Sequence, residues 1–285
     1  MSRASVANAV QTSLKAIRNL LFFSHIRGKP VVVIDGGLGN QILGWIKYHT
    51  AIEFGKIKNS KEQTRLDLEY FCNPPPNKKG LSYFDWELSE YGIKLENLKS
   101  TKRPLLFQFS YNHQARNERH LYQLMNLRSW AEYFPLTESY FKLNEKLELS
   151  KDYVAIHLRR GDYLNVAARI VTVDEVCSVL NRISSLIPTS VLVLSDSEIS
   201  DEDFRKILEQ LPDKVVRVIV GGDTHAIHGI LRQAKFLITS NSAFSLSAAL
   251  TMTNNGLAVA PRNFHGSKNS DINEAYHLLS SWTVI

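Results

Sequence analysis

The segment His157-Leu158-Arg159-Arg160-Gly161-Asp162-Tyr163 gathers an imidazole, two guanidinium groups and a carboxylate into one short stretch of chain. It follows the apolar run Val154-Ala155-Ile156, so it stands where a strand ends. Adjacent arginines are costly to bury there, and they point to different sides of the chain. One guanidinium can fork onto a phosphate while its neighbour pairs with Asp162. Gly161 lets the backbone turn tightly beside a ligand. The plain alternative is a solvated loop holding an Arg–Asp pair, and the strand-exit position favours the phosphate.

Three further groupings occupy similar positions. Gly36-Gly37-Leu38-Gly39-Asn40-Gln41 follows Val31-Val32-Val33-Ile34 and precedes a helical pattern. It lacks the final glycine and the acidic ribose partner of a dinucleotide fingerprint. A glycine turn feeding a helix still offers an anion or hydroxyl site, and Asn40 and Gln41 add uncharged donors and acceptors suited to sugar hydroxyls. Read alone, it is equally an ordinary tight turn. Thr239-Ser240-Asn241-Ser242-Ala243-Phe244-Ser245 is again strand to helix start, where hydroxyls and free backbone N–H groups converge as a diphosphate requires. Simple helix capping by Ser240, Asn241 or Ser242 does not exclude that contact. In Ser195-Asp196-Ser197 a carboxylate at a strand end can accept from a guanine edge or a ribose hydroxyl, or cap the next helix.

Other chemistry is disfavoured. Asp201-Glu202-Asp203 has the spacing of metal-dependent sugar transferases, but it follows Ser200 and opens a helix, where acids suit the macrodipole. His225 and His228 share a helical face with no further metal ligand nearby in sequence. No phosphate-loop string of the Walker type and no nucleophile elbow occur.

The elements that must position these groups alternate. After Val31–Ile34 and its helix comes a polar, turn-rich stretch over 60–104, with a loop at Pro74-Pro75-Pro76, and then a helical, aromatic-rich stretch over 115–148. Strands are expected at Val154–His157, Val191–Leu194, Val215–Val220, Phe236–Thr239 and, last, Leu257–Ala260. Between them lie helices from Thr172 to Ile187, from Ser200, from His225 to Ala234 and from Ser242 to Met252. Such alternation predicts an α/β fold with a doubly wound parallel sheet and ligands beyond the strand C-termini. The boundaries place a basic amphipathic helix at 1–29, an acceptor-side α/β domain at 30–150 and a nucleotide-binding Rossmann-like domain at 151–285, facing across a cleft.

With 44% hydrophobic and 22% charged residues, the 285-residue chain has material for such cores. A formal charge of +6 is compatible with a phosphorylated ligand but decides little alone. Cys72 and Cys177 are the only cysteines, so a reducing compartment is expected, and no apolar run approaches the about 20 residues of a membrane span. In the first helix Val6, Val10, Leu14, Ile17 and Leu21 share one stripe, flanked by Arg3, Lys15 and Arg18. It can lie on a membrane surface, or pack on its own domain or on a second subunit as in a homo-oligomer. RNA binding ranks last, for want of an aromatic stacking motif and a lysine-rich stripe.

In this order the motifs resemble the family 11 glycosyltransferases, the bacterial and animal α-1,2-fucosyltransferases, from Val31 to Ile285. The family's GGLGNQ stands at Gly36–Gln41, its H-x-R-R-G-D-Y at His157–Tyr163, its S-D-D at Ser195–Ser197 and its N-S-x-F-S at Asn241–Ser245. Leu66-Asp67, Trp86-Glu87-Leu88, Ala260-Pro261-Arg262-Asn263-Phe264 and Trp282–Ile285 resemble further family elements. The resemblance implies a GT-B fold of two Rossmann-like domains, a GDP-fucose donor, a galactoside-type glycan acceptor that could be lipid-linked, and inversion without metal or other cofactor. The cysteine usage fits a cytoplasmic protein, peripheral on the inner membrane face if the 1–29 helix binds there. By the same resemblance Arg159 or Arg160 would bind the β-phosphate, His157 and Asp196 guanosine, and Asn241, Ser242, Ala243, Phe244 and Ser245 the diphosphate. Gly36, Gly37, Gly39, Asn40 and Gln41 would form the acceptor side, with Asn40 near the reacting centre. Asp162 is the first candidate base, although its arginine neighbours would depress its pKa; Asp35 is the second. A mechanism in which Asn40 only orients the acceptor stays open, as do a non-catalytic binding module and another linkage. The chain departs from the family at Leu246 and Ser247, where paired tryptophans are usual, and at Ser197, and it carries residues 1–29 in addition.

Overall fold

Strand β3 (Tyr153–Leu158) is buried at every position, as a strand covered on both faces must be. A computed structural model describes residues 31–57, 65–72, 84–100, 129–161, 171–253, 256–260 and 282–284. The 1–29 helix, Asp162, Tyr163 and 261–281 lie outside them. Around β3, strands β4 (Ser190–Ser195), β5 (Val215–Val220), β6 (Phe236–Ile238), β7 (Leu257–Ala260) and β8 (Trp282–Val284) form one sheet in the order β5-β4-β3-β6-β7-β8. All its pairings are parallel. The order runs outward from β3 to β5 and then reverses to β6, β7 and β8, which is the doubly wound arrangement.

The crossover helices are α4 (Val173–Arg182), α5 (Asp201–Glu209), α6 (Thr224–Gln233) and α7 (Ala243–Leu250), following in sequence α1 (Leu38–Ile57), the four-residue α2 (Glu69–Cys72) and α3 (Glu138–Leu147). Alternation along the strands sorts them into layers. Val154, Ile156, Val191 and Val193 face Val176, Leu180 and Ile207 of α4 and α5. Ala155, Leu192, Leu194 and Leu237 face Ile230 and Leu231 of α6 and Leu246 and Ala248 of α7. That second core continues without a break into Leu38, Ile42 and Ile46 of α1, and on to Leu88, Tyr91, Trp130 and Phe134.

The remaining N-terminal described residues are built on a two-stranded parallel sheet of β1 (Val31–Val33) and β2 (Arg65–Asp67). Arg232, 1% exposed, ties the α6 layer together: its Nε donates to the Thr251 carbonyl after α7, and an Nη donates to the Ala131 carbonyl. Burial lowers its pKa to about 10, with Tyr91 opposing, so it stays charged at neutral pH.

Helix starts follow their caps. Thr172 and Glu175 form a reciprocal capping box on α4, and Ser200 accepts from the Asp203 amide of α5. Several boundaries differ from expectation. α4 stops at Arg182 and gives way to a 3-10 turn at Ser184–Leu186, because Pro188 holds Ile187 in an extended conformation. Within the 115–148 stretch, Pro135 likewise pushes Phe134 out of the helical region, leaving a 3-10 turn at Ala131–Tyr133 before Thr137 caps α3. β2 lies in the stretch read as turn-rich, and β8 extends the sheet past the strand expected to be last. Each has three residues, too few to show a period of two.

Candidate active site

A doubly wound sheet opens a crevice where the strand order reverses, here between the C-terminal ends of β3 and β6. A hydrogen bond spans that point. His157, near the end of β3, meets the Ser240 hydroxyl just beyond β6 through Nδ1, at 2.7 Å. Ser240 Oγ in turn lies 3.2 Å from Ser245 Oγ, in the first turn of α7. Ser245 Oγ also donates to the Ser240 carbonyl at 3.2 Å. Burial drives the His157 pKa down to about 4, with Asp196 opposing and Arg159 assisting, so the ring is neutral at neutral pH. Its Nε2 has no hydrogen-bond partner among the described residues.

The arginines leave β3 in different directions. An Arg159 Nη lies 2.9 Å from Asp196 Oδ2, and the side chain is one-third exposed. Arg160 turns inward: its guanidinium donates to the Val171 carbonyl at 3.2 Å and to Asp203 Oδ2 at 3.3 Å. It therefore anchors the loop to the start of α5 rather than reaching the crevice. The Arg160 backbone N–H donates to Asp196 Oδ1 at 2.6 Å. A Cβ on Gly161 would fall 2.7 Å from Asp196 Oδ2, so the loop needs glycine to wrap this carboxylate. Asp196 thus has both oxygens engaged in positioning the arginine loop.

At the start of α7, Ser242 accepts from the Phe244 amide at 3.1 Å, and Asn241 and Ser242 are buried beside it. The Phe244 ring packs between His157 and His228, with centroids 5.5 and 5.3 Å away. His228 is fully buried, and its Nε2 meets Ser247 Oγ at 3.0 Å. Leu246 and Ser247, where the sequence departs from the tryptophan pair, are both buried, so this change lies inside the protein.

The glycine turn is brought against this helix start. A Cβ on Gly39 would lie 2.4 Å from the Phe244 amide nitrogen and 2.6 Å from the Ala243 carbonyl carbon. The first turns of α1 and α7 therefore touch backbone to backbone. Gly36 has φ +71°, and a Cβ there would meet the Asn40 amide at 2.6 Å. A Cβ on Gly37 would press on the Phe84 ring, 3.1 Å away. Asn40 is exposed. Gln41, by contrast, is buried, and its amide is fully used: Nε2 donates to the Gly36 and Asp85 carbonyls, each at 2.8 Å, and Oε1 accepts from the Glu87 amide at 2.9 Å. It shapes the turn and presents nothing to a ligand.

α1 and α7 have no acidic residue in the first turn, whereas α4 carries Asp174 and Glu175 and α5 carries Asp201, Glu202 and Asp203. The start of α7 thus keeps its positive end uncompensated, which suits an anion, whereas a carboxylate from elsewhere in the chain, that of Glu87, meets the start of α1. Among the described residues no three His, Cys, Asp or Glu side chains are grouped to hold a metal ion, and no helix is long and apolar enough to cross a membrane. The crevice gathers His157, Arg159, Asn241, Ser242, Ala243, Phe244, Ser245 and the Gly36–Asn40 turn. The guanidinium of Arg160 and the side chain of Gln41 stand outside it. Sequence reasoning gave no role to Glu87, whose carboxylate Oε1 accepts from the Leu38 amide at 2.9 Å. Trp86-Glu87-Leu88 resembles a family element, but nothing local in it ties the glutamate to a turn 46 positions earlier.

A profile of glycosyl transferase family 11 matches residues 77–285. Searching curated proteins finds no match. Among solved structures, POFUT1 in complex with GDP is similar at a TM-score of 0.43 and 13% identity, over 79% of this chain and 94% of that one. The NodZ alpha-1,6-fucosyltransferase co-crystallized with GDP is similar at 0.41 and 14% identity, over 77% and 91%. The UDP-GlcNAc 2-epimerase from Methanocaldococcus jannaschii is similar at 0.34 and 12% identity, over 95% and 69%.

Proposed function

The chain belongs to glycosyl transferase family 11, and on that premise we propose that it transfers L-fucose from GDP-fucose to a galactoside-type hydroxyl of a glycan. The reading is α-1,2, inverting and independent of metal. The observation that carries it is the strand-order reversal, where His157 bonds Ser240 just before α7, the first turns of α1 and α7 touch, and Arg159 stays partly exposed after β3.

In this reaction the acceptor oxygen forms a bond to the fucose anomeric carbon while the bond from that carbon to the β-phosphate oxygen breaks. Charge grows on the departing diphosphate. Arg159, held by Asp196, and the N–H groups opening α7 would meet it, doing the work that a metal does elsewhere. Neutral His157 would offer Nε2 to the nucleoside without adding charge. Asn40, exposed at the start of α1, would orient the acceptor. In this reading the natural acceptor is a lipid-linked unit of a bacterial surface polysaccharide, reached from the inner membrane face through residues 1–29.

Incubation with labelled GDP-fucose, GDP-mannose and UDP-sugars, each with and without EDTA, tests the donor and the metal independence. Fucose transfer that survives chelation is expected. Preference for a UDP-sugar, abolition by EDTA, or GDP binding without transfer or donor hydrolysis would overturn the reading. Linkage analysis of the product tests the α-1,2 assignment.

A further inference from the structure

We propose that Glu87 is the proton acceptor for the incoming sugar hydroxyl, a role that rests on the fucosyl-transfer reading above. Glu87 precedes the 3-10 turn Leu88–Tyr91 and is carried against the opening turn of α1. Three contacts fix it there. Its Oε1 accepts from the Leu38 amide, its own amide donates to Gln41 Oε1 at 2.9 Å, and its carbonyl lies 2.9 Å from His225 Nε2 in the first turn of α6.

Glu87 is therefore held between the starts of α1 and α6, with its carboxylate on Leu38, which stands one residue before Gly39 and two before exposed Asn40. One oxygen is committed to the helix. Oε2 has no hydrogen-bond partner among the described residues, and the side chain is half-buried. A carboxylate serving only as a remote cap needs one oxygen, and here the second is left uncommitted among the described residues, at the helix start that the glycine turn opens. Asp35 lies at the same strand end, but the glycine turn separates it from the helix start. Asp196 is occupied on both oxygens.

Burial raises the Glu87 pKa above its ordinary value, and Asp223 and Asp85 push the same way. His225 and the Leu38 amide oppose. A more basic carboxylate is a better base for a sugar hydroxyl. In the step itself the acceptor O–H bond breaks as its oxygen bonds to the anomeric carbon. The proton passes to Glu87 Oε2, and GDP departs with the electron pair of the broken C–O bond. Glu87 then returns the proton to solvent.

The test is Glu87→Gln in the full chain, because the amide oxygen still accepts from Leu38 and the cap survives. Expected is a loss of transfer turnover of roughly 100-fold or more, with GDP affinity, slow hydrolysis of GDP-fucose and melting temperature close to wild type. The acidic limb of the kcat/KM profile, which burial shifts upward in wild type, should disappear. Glu87→Ala should regain part of its turnover in added formate. Full turnover with an unchanged acidic limb in Glu87→Gln overturns the proposal alone. So does a parallel loss of GDP affinity and melting temperature, which would make Glu87 a cap and nothing more. Failure of the wild type to use GDP-fucose overturns the donor reading and this proposal together.

Discussion

Alanine at Gly39 would put a methyl group where the backbone of Phe244 already lies. The added carbon would stand 2.4 Å from the Phe244 nitrogen, 2.5 Å from its Cα and 2.6 Å from the Ala243 carbonyl carbon. Relief cannot come from a rotamer, since all three are backbone atoms. α1 and α7 must separate by about 1 Å to restore ordinary contact. Two effects then oppose each other. Alanine is favoured over glycine in a helix by up to about 1 kcal/mol, while overpacking a close contact costs about 1–3 kcal/mol. The net expectation is a loss of about 1–2 kcal/mol, or a fall in melting temperature of roughly 2–8 °C for a chain of this size. Function should suffer more than stability, because α7 opens at the proposed diphosphate position and a displacement of about 1 Å can cost 100-fold in rate. Calorimetric titration with GDP alongside thermal melts measures both. Gly44→Ala separates the two effects: its Cβ would meet Cγ1 of fully buried Ile34 at 2.8 Å, so it should cost stability without pressing on the α7 backbone. A Gly39→Ala protein that melts higher than wild type and binds GDP equally well would refute the close packing and its functional reading.

Arg159→Ala should lower transfer turnover by roughly 100- to 1,000-fold while leaving the melting temperature almost unchanged, since the side chain is partly exposed; comparing kcat with thermal melts checks it. Arg160→Ala should do the reverse, leaving the Val171 carbonyl unpartnered at a cost of about 1–3 kcal/mol with a smaller effect on GDP affinity. Acidification should destabilise the protein through His157: the unfolded ring gains its proton near pH 6.5, and the folded ring only near about 4. Stability is then fully present above pH 6.5 and falls as pH drops through that window, by about 3 kcal/mol in all. His228, also lowered by burial, acts in the same direction. Urea melts at several pH values, set against His157→Gln, isolate the effect; an identical pH slope in the variant would contradict it.

Much of the candidate site on the large sheet was legible because its residues are local to strand ends. The runs Val154–Ile156 and Val191–Leu194 mark central strands, and each is followed directly by its polar cluster, so the chain itself brings Arg159 and Asp196 to one sheet edge. The 3.6-residue pattern and the caps at Thr172, Ser200 and Ser242 were equally local. What escaped was set by distant partners. Nothing in the string Arg-Arg tells which guanidinium finds Asp203 across the sheet edge. Gln41 looked like a sugar ligand until the 85–87 segment closed over its amide. Glu87 becomes prominent only through its bond to Leu38, 49 positions away. The short strands β2 and β8 depend on neighbours already in place, which no window of their own length can reveal.

The unbroken core joining α1 to α6 and α7 has a consequence for engineering. Glycosyltransferases that differ in acceptor invite chimeras, joined at the chain's midpoint so that one half is exchanged as a module. Here such a junction would separate Leu38, Ile42 and Ile46 from the helices they pack against, and would ask Gly39 to fit a foreign α7 backbone. In packing terms α1 is part of the C-terminal half, though other segments separate the two in sequence. A workable graft would keep α1 and its glycine turn with residues from 151 onward, together with Leu88, Tyr91, Trp130 and Phe134, which share that core.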